Sequence, residues 1–223
     1  MTTTLEYGPR LQAAAAAFGL EINEAQQDKL LAYLDQLQRW NRTYNLTAIR
    51  DPEQMLIQHL FDSLAVVAPL ILILDKNTVN TIIVDVGSGA GLPGVVLAIM
   101  CPSATVHCVD TVEKKATFIR QMAGVLRLPN LQAHHARIEA LPPFGADVVI
   151  SRAFASLVDF ATLSGKHVAP GGWLLAMKGR APDDETGPLH ASTPWRVDHV
   201  QPLRVPELDA SRCLVWITEQ GNV

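Results

Sequence analysis

Apolar residues recur along this chain at two different spacings, and the spacing changes once. Over the first eighty residues they return every three or four positions, as Leu30, Leu34 and Leu37 do. This predicts helices over 13–17, over 24–40 and from 52 to about 68. Asn23 with Gln26 three residues on, and Asp51 followed by Pro52 and Gln54, supply the start signals of the second and third helices. From Thr81 onward the apolar residues gather in short β-branched runs at 82–86, 105–109, 131–135, 147–150, 173–177, 197–200 and 214–218. Helical segments at 95–100, 114–126 and 156–168 separate the earlier runs. Strand and helix alternating in units of about thirty residues imply right-handed crossovers and a mainly parallel sheet. The last two runs have no helix between them and are expected to pair as an antiparallel hairpin through 202–211, while 179–193 reads as a loop. The expected architecture is α/β and Rossmann-like: a helical N-terminal extension over 1–80, then a seven-stranded, mainly parallel sheet over 81–223.

Composition narrows the class of protein without naming it. The 223 residues suit one α/β core plus an extension, and 48% hydrophobic against 18% charged is a globular balance. The N-terminus lacks a basic start followed by an apolar core, and the apolar run at 70–74 is too short to span a bilayer, so a cytoplasmic protein without a membrane anchor is expected. Cys101, Cys108 and Cys213 are odd in number and form no close pair, which speaks against disulfides and structural zinc. A formal charge of −4 excludes strong long-range attraction to bare nucleic acid, so any RNA contact must come from a local basic patch.

The sharpest local signal is the run Val84-Asp85-Val86-Gly87-Ser88-Gly89-Ala90-Gly91-Leu92-Pro93-Gly94, at the end of the first strand and the start of a helix. Glycines there let the backbone turn sharply and approach a ligand, at the strand ends where open parallel sheets bind them. Two cofactors compete for it. Gly89, Gly91 and Gly94, with Asp110 roughly twenty residues on, fit a nicotinamide dinucleotide site. Asp85 immediately before the loop repels a diphosphate but suits the amino group of a methionine moiety, which favours S-adenosylmethionine. In either case the Asp110 carboxylate can accept from both ribose hydroxyls, and Arg137-Ile138-Glu139 after the third strand can edge an adenine.

Four segments carry a closer likeness: Asn41-Arg42-Thr43-Tyr44-Asn45-Leu46-Thr47, His59-Leu60-Phe61-Asp62-Ser63-Leu64, Asp85 to Gly94, and Ser151-Arg152-Ala153-Phe154-Ala155. Together they resemble the signature segments of the 16S rRNA guanine-N7 methyltransferase G family, also called glucose-inhibited division protein B, over about residues 20 to 220. The resemblance implies a class I S-adenosylmethionine-dependent methyltransferase fold behind a helical extension. The implied substrate is one guanine of a decoding-region loop in 16S rRNA. The cofactor is expected against Asp85, Gly87, Gly89, Leu92, Asp110, Thr111, Val112, Ile138, Glu139 and Arg152. Thr111-Val112-Glu113-Lys114-Lys115 departs from the serine and leucine that many members carry, which leaves the ribose-side role of Thr111 open.

The implied chemistry asks little of the protein. Guanine N7 keeps a free lone pair at neutral pH, so it attacks a sulfonium methyl without a general base, and catalysis is mainly alignment. Arg152 is the expected catalytic contact, to the guanine or to the methionine carboxylate, with no histidine or cysteine nucleophile and no metal. Since N7 lies on the groove edge that A-form RNA hides, the target must sit in a loop or turn out of its stack. Arg39, Arg42 and Arg50, with Lys114, Lys115, Arg120 and Arg127, are candidate phosphate contacts, Lys178 is a further cation near the site, and Trp40 and Tyr44 are candidate stacking residues. His134 and His135 point to opposite faces of a strand, which speaks against a shared metal. The acidic net charge favours 16S rRNA within a small ribosomal subunit or assembly intermediate as partner, and a monomer is expected. Alternatives are a methyltransferase for a protein or small molecule, a nicotinamide-dependent oxidoreductase, and a non-catalytic RNA-binding assembly factor.

Overall fold

A computed structural model describes residues 2–73 and 81–221, with side chains described over 7–72 and 81–221. The extension comprises helices α1 (Thr2–Ala17) and α2 (Glu24–Tyr44), then α3 (Pro52–Met55), a π-helical turn (Leu56–Phe61) and α4 (Asp62–Leu64) in direct succession, and, after a turn at Ala65 and Val66, α5 (Val67–Ile73). There follow β1 (Ile82–Val86), α6 (Gly94–Met100), β2 (Thr105–Asp110), α7 (Glu113–Val125), β3 (Leu131–His135), β4 (Ala146–Ser151), α8 (Leu157–Ser164), β5 (Val168–Lys178), α9 (Asp183–Ser192), β6 (Trp195–Leu203) and β7 (Arg212–Glu219). The seven strands lie in the order β3-β2-β1-β4-β5-β7-β6. The first five are parallel, and β7 enters antiparallel between β5 and β6. From β1 the chain runs first to β2 on one side and later to β4 on the other, so the carboxyl ends of β1 and β4 flank the switch point where such sheets bind ligands.

Three expectations need correction. The 179–193 stretch is not a loop, since 183–192 forms α9 despite Gly187 and Pro188. Its acidic first turn suits a helix N-terminus, Leu189 is buried against the core, and Glu185 is fixed by Lys178 and by the Leu157 N–H at 2.6 Å. Residue 168 begins β5 instead of ending the preceding helix, because α8 stops at Ser164 and a 3₁₀ turn (Gly165–His167) follows. Strands β5, β6 and β7 are also longer than the apolar runs that announce them, because Lys178, Arg196, Gln201 and Arg212 still pair at the ends of the antiparallel ladders. Strand β5 starts at Val168, paired to Ala146 ahead of a register shift.

Both start signals of the extension are realised. Asn23 and Gln26 form a reciprocal capping box, with contacts of 2.9 and 3.1 Å, and Asp51 Oδ1 accepts from the Gln54 N–H at 2.9 Å. The apolar stripe of α2, Leu30, Leu31, Leu34 and Leu37, packs onto the helices that cover the sheet. Burying each such side chain stabilises the fold by about 2 kcal/mol. A single apolar cluster contains Leu30, Leu34 and Leu64 of the extension together with Val95, Val106, Phe118 and Ile119 of the sheet region. The stretch Pro52–Leu72 is long and apolar enough to cross a membrane, yet 78% of its most apolar window is buried inside the fold, as in a core helix. The expected boundary at residue 80 lies outside the described residues.

Candidate functional site

Two cavities open at the carboxyl ends of β1, β2 and β4 and meet at Gly87 and Ala153, which line both. The smaller, about 200 Å³, is walled by Val86, Val109, Asp110, Thr111, Arg137, Ile138, Glu139 and Phe154. The larger, about 440 Å³, is walled by the glycine loop, by Thr47, His59 and Asp62 of the extension, and by Arg152, Lys178 and Arg212.

The glycine loop is held from below. Asp85, fully buried, accepts from the Gly94 N–H at 2.8 Å, and its other oxygen has no partner. Burial pushes this carboxyl up from 3.8 to about 7, against the opposing pull of the Gly94 N–H and of Arg152. Gly94 permits the approach, since a Cβ there would lie 2.9 Å from Asp85 Oδ2 and 2.3 Å from Cys108 Sγ. Gly87 turns with φ +66°, and a Cβ there would meet the Ala153 Cβ at 2.5 Å, so any side chain would close the passage between the cavities. From the side, Asp110 Oδ2 accepts from the Gly89 N–H and Oδ1 from the Val112 N–H, both at 2.8 Å. From above, the buried Tyr33 hydroxyl of α2 donates to the Ala90 carbonyl at 2.9 Å.

In the larger cavity the charged groups are paired. Asp62, 4% exposed, accepts from Arg152 Nη1 at 3.2 Å on one oxygen and from Arg212 Nε at 2.9 Å on the other. Arg152 Nε also donates to the Leu92 carbonyl at 3.1 Å, which fixes the plane of its guanidinium. Lys178 donates to both oxygens of Glu185, at 2.8 and 3.1 Å, and to the Ala155 carbonyl. Two arginines against one aspartate leave the wall one positive charge in excess. Above them, Thr47 Oγ1 accepts from the Ile49 N–H at 3.2 Å and shares a hydrogen bond with His59 Nε2 at 2.9 Å. Burial, and then Arg152, lower the His59 pKa to about 4 and keep the ring neutral. Asn41 sets the loop that carries Thr47, accepting from the Thr47 N–H at 2.9 Å and donating to the Ile49 carbonyl at 3.0 Å.

Comparison with known proteins gives this geometry a family. The model of the family described as rRNA small subunit methyltransferase G matches residues 26–215. The chain belongs to that family. It is 63% identical over 215 residues to "Ribosomal RNA small subunit methyltransferase G" of Bordetella petrii, covering 96% of this chain and 84% of that one. Its identity to the protein of the same name from Bordetella avium is 61%, covering 96% and 95%. Among solved structures, a SAM-dependent methyltransferase from Leishmania major superposes with a TM-score of 0.59 at 16% identity, covering 83% of each chain. One from Aquifex aeolicus superposes at 0.51 and 16% identity, covering 83% of this chain and 97% of that one. At these identities the superpositions speak for the fold, which is the Rossmann-like one expected.

The four signature segments of the family converge in space, since each places residues at the larger cavity or directly beneath it. Of the residues expected at a cofactor, Gly87, Gly89, Leu92, Asp110, Thr111, Ile138, Glu139 and Arg152 line one cavity or the other. Asp85 and Val112 line neither: Asp85 lies under the loop, and Val112 contributes its N–H to Asp110. Lys178, a cation expected near the site, lines the larger cavity as a partly buried ion-pair partner of Glu185. Trp40 packs against Phe118, with ring centroids 5.3 Å apart, and Tyr44, 46% exposed, stacks on its outer side. His134 sits 3.0 Å from His107, against Phe144. Sequence reasoning missed the roles of Tyr33, Thr47, His59, Asp62 and Arg212. The single available signal was that three of these five fall within the family segments.

Proposed function

We propose that the protein transfers a methyl group from S-adenosylmethionine to N7 of one guanine in 16S rRNA, with the cofactor lying across the Gly87–Ala153 junction. The observation that carries this reading is the pair of connected cavities at the switch point, one built for a nucleoside and the other walled by fixed donors. In the smaller, each Asp110 oxygen already takes one backbone N–H and keeps a lone pair for a ribose hydroxyl, with Thr111 beside it. Ile138 offers an apolar floor for the adenine, and the Glu139 segment its polar edge. In the larger cavity, two residues on from the junction, a Cβ on Gly89 would project into space with nothing within 4 Å, a cradle that fits a chain lying over the loop. Bound there, S-adenosylmethionine supplies the electrophilic methyl group.

The chain's own residues bind and align. Arg152, clamped by Leu92 and Asp62, presents its remaining N–H groups as fixed donors for the methionine carboxylate or the guanine edge. His59, neutral through burial, is not called on as a base, since N7 has no proton to lose. The acidic balance of the chain supports a substrate presented inside an RNA–protein particle, where protein contacts supplement phosphate attraction. In this reading the protein acts as a cytoplasmic monomer.

The test is methyl transfer from labelled S-adenosylmethionine to small ribosomal subunits purified from a strain lacking the endogenous enzyme. Label in 7-methylguanosine at one site is expected. No transfer by a protein that binds S-adenosylhomocysteine would sink the substrate assignment, and equal turnover on protein-free 16S rRNA would sink the preference for a particle.

A further inference from the structure

Beyond the two joined cavities the fold holds a third, about 220 Å³, lined by Gln38, Asn41, Arg42, Arg50, Pro52 and Met55. Its volume lies below the roughly 300–1,000 Å³ of sites that enclose a whole small-molecule ligand, so it suits a compact group. Its cations differ from the larger cavity's in having no carboxylate partner. There every cation has a carboxylate partner, whereas here two guanidinium groups face one hollow with no acid in its wall. Among the described residues, neither Arg42 nor Arg50 enters an ion pair, and Arg50 Nη2 donates only to the neutral Asn45 amide at 3.0 Å. Of the nearby acids, Glu53 pairs with Arg10 and Asp35 with Arg39, while the exposed Asp51 caps the Gln54 N–H and lies outside the wall of the hollow. Gln38 Nε2 adds a buried donor without a partner.

We infer that this hollow seats a phosphodiester group of the RNA that carries the target guanine, an inference that rests on the proposed substrate. Its position supports an RNA source. The segment between α2 and α3 separates it from the larger cavity: Thr47 and Ile49 face the larger cavity, and Arg50 faces the hollow. Asn41 lines the hollow and holds both Thr47 and Ile49 by hydrogen bonds. A strand that turns one base into the larger cavity therefore runs its backbone past the hollow. Two planar guanidinium forks at that point fix its register without reading its sequence.

The test is the double variant Arg42→Gln/Arg50→Gln in the full chain, with Arg42→Lys/Arg50→Lys as the charge-retaining control. Methyl transfer to small subunits should show KM raised about tenfold at moderate salt with kcat little changed, and a plot of log KM against log salt flattened by about 0.7 for one phosphate lost. The lysine pair should recover most of the KM, and S-adenosylhomocysteine binding and Tm should stay at the wild-type values in both. An unchanged KM and salt slope in the folded glutamine variant overturns the inference. So does a response of the Arg42 and Arg50 side-chain NMR signals to inorganic phosphate alone while RNA parameters stay put, which would make the hollow a free-anion site. If the wild type transfers no methyl group, the substrate reading fails separately. The hollow is then judged by anisotropy of a labelled single-stranded RNA, where equal affinity of wild type and glutamine variant overturns it.

Discussion

The two joined cavities are built by opposite means. The smaller is made of strand ends and the turns that directly follow them, so apart from Leu163 of α8 its residues lie within a few positions of β1, β2, β3 or β4. The larger is assembled from parts far apart in sequence, with Asp62 bonded to Arg152 90 residues later and to Arg212 150 residues later. The difference teaches where each half of the site is vulnerable. The smaller depends on backbone geometry that the parallel sheet enforces, the larger on one buried carboxylate.

Three substitutions would break or sharpen this contrast. The largest effect is expected from Asp62→Ala, which leaves Arg152 and Arg212 facing one another without a counter-charge. Because both arginines keep some solvent, the loss should be about 2–3 kcal/mol, at or below the low end for a broken buried pair. Urea denaturation should show it alongside loss of methyl transfer, while nucleoside affinity stays nearly intact. A variant with wild-type stability and turnover would remove the carboxylate from its central place.

The next is Gly87→Val, which acts on both cavities at once. Valine must hold a positive φ with its Cβ against Ala153, a strain of about 1–3 kcal/mol in stability, and its methyl groups obstruct the passage, so the S-adenosylhomocysteine Kd by calorimetry should rise about tenfold. Unchanged affinity would mean that the ligand does not cross the junction.

The smallest effect on ligand binding is expected at Asp85, which lines neither cavity and is read through the pH dependence of stability. Its folded-state pKa, raised from 3.8 to about 7, gives a contribution fully present below 3.8 and lost as pH rises through 7. Asp85→Asn removes that loss. Its stability relative to wild type should therefore climb by about 1 kcal/mol per pH unit between about pH 4 and 7, then level off. A flat difference across that range would mean that the carboxyl is not held neutral by burial.

How much was legible in the sequence follows the same division. All seven strands, their mainly parallel order and the closing hairpin could be read, because β-branched runs and crossover spacing are local. Asp110 and Ile138 could be placed because strand ends announce themselves. Asp62 and Arg212 could not be paired, since no pattern links residues on a helix and on the last strand. The π-helical turn over Leu56–Phe61, just before Asp62, leaves no periodic trace, and π-turns often mark functional sites. Helix α9 was hidden because Gly187 and Pro188 suppress the helical signal that its Lys178–Glu185 and Leu189 contacts restore. Asp85 could be found but not interpreted, since only its burial shows that it supports the loop.

The insertion of β7 between β5 and β6 has a consequence for biosynthesis. A chain emerging in order exposes Asp62 and Arg152 well before Arg212 exists, and β6 has no sheet neighbour until β7 is made. The wall that carries Arg212 is thus completed only once β7 has been made. A chain made only as far as α8 already holds every residue that lines the smaller cavity, whereas the larger still lacks Lys178 and Arg212.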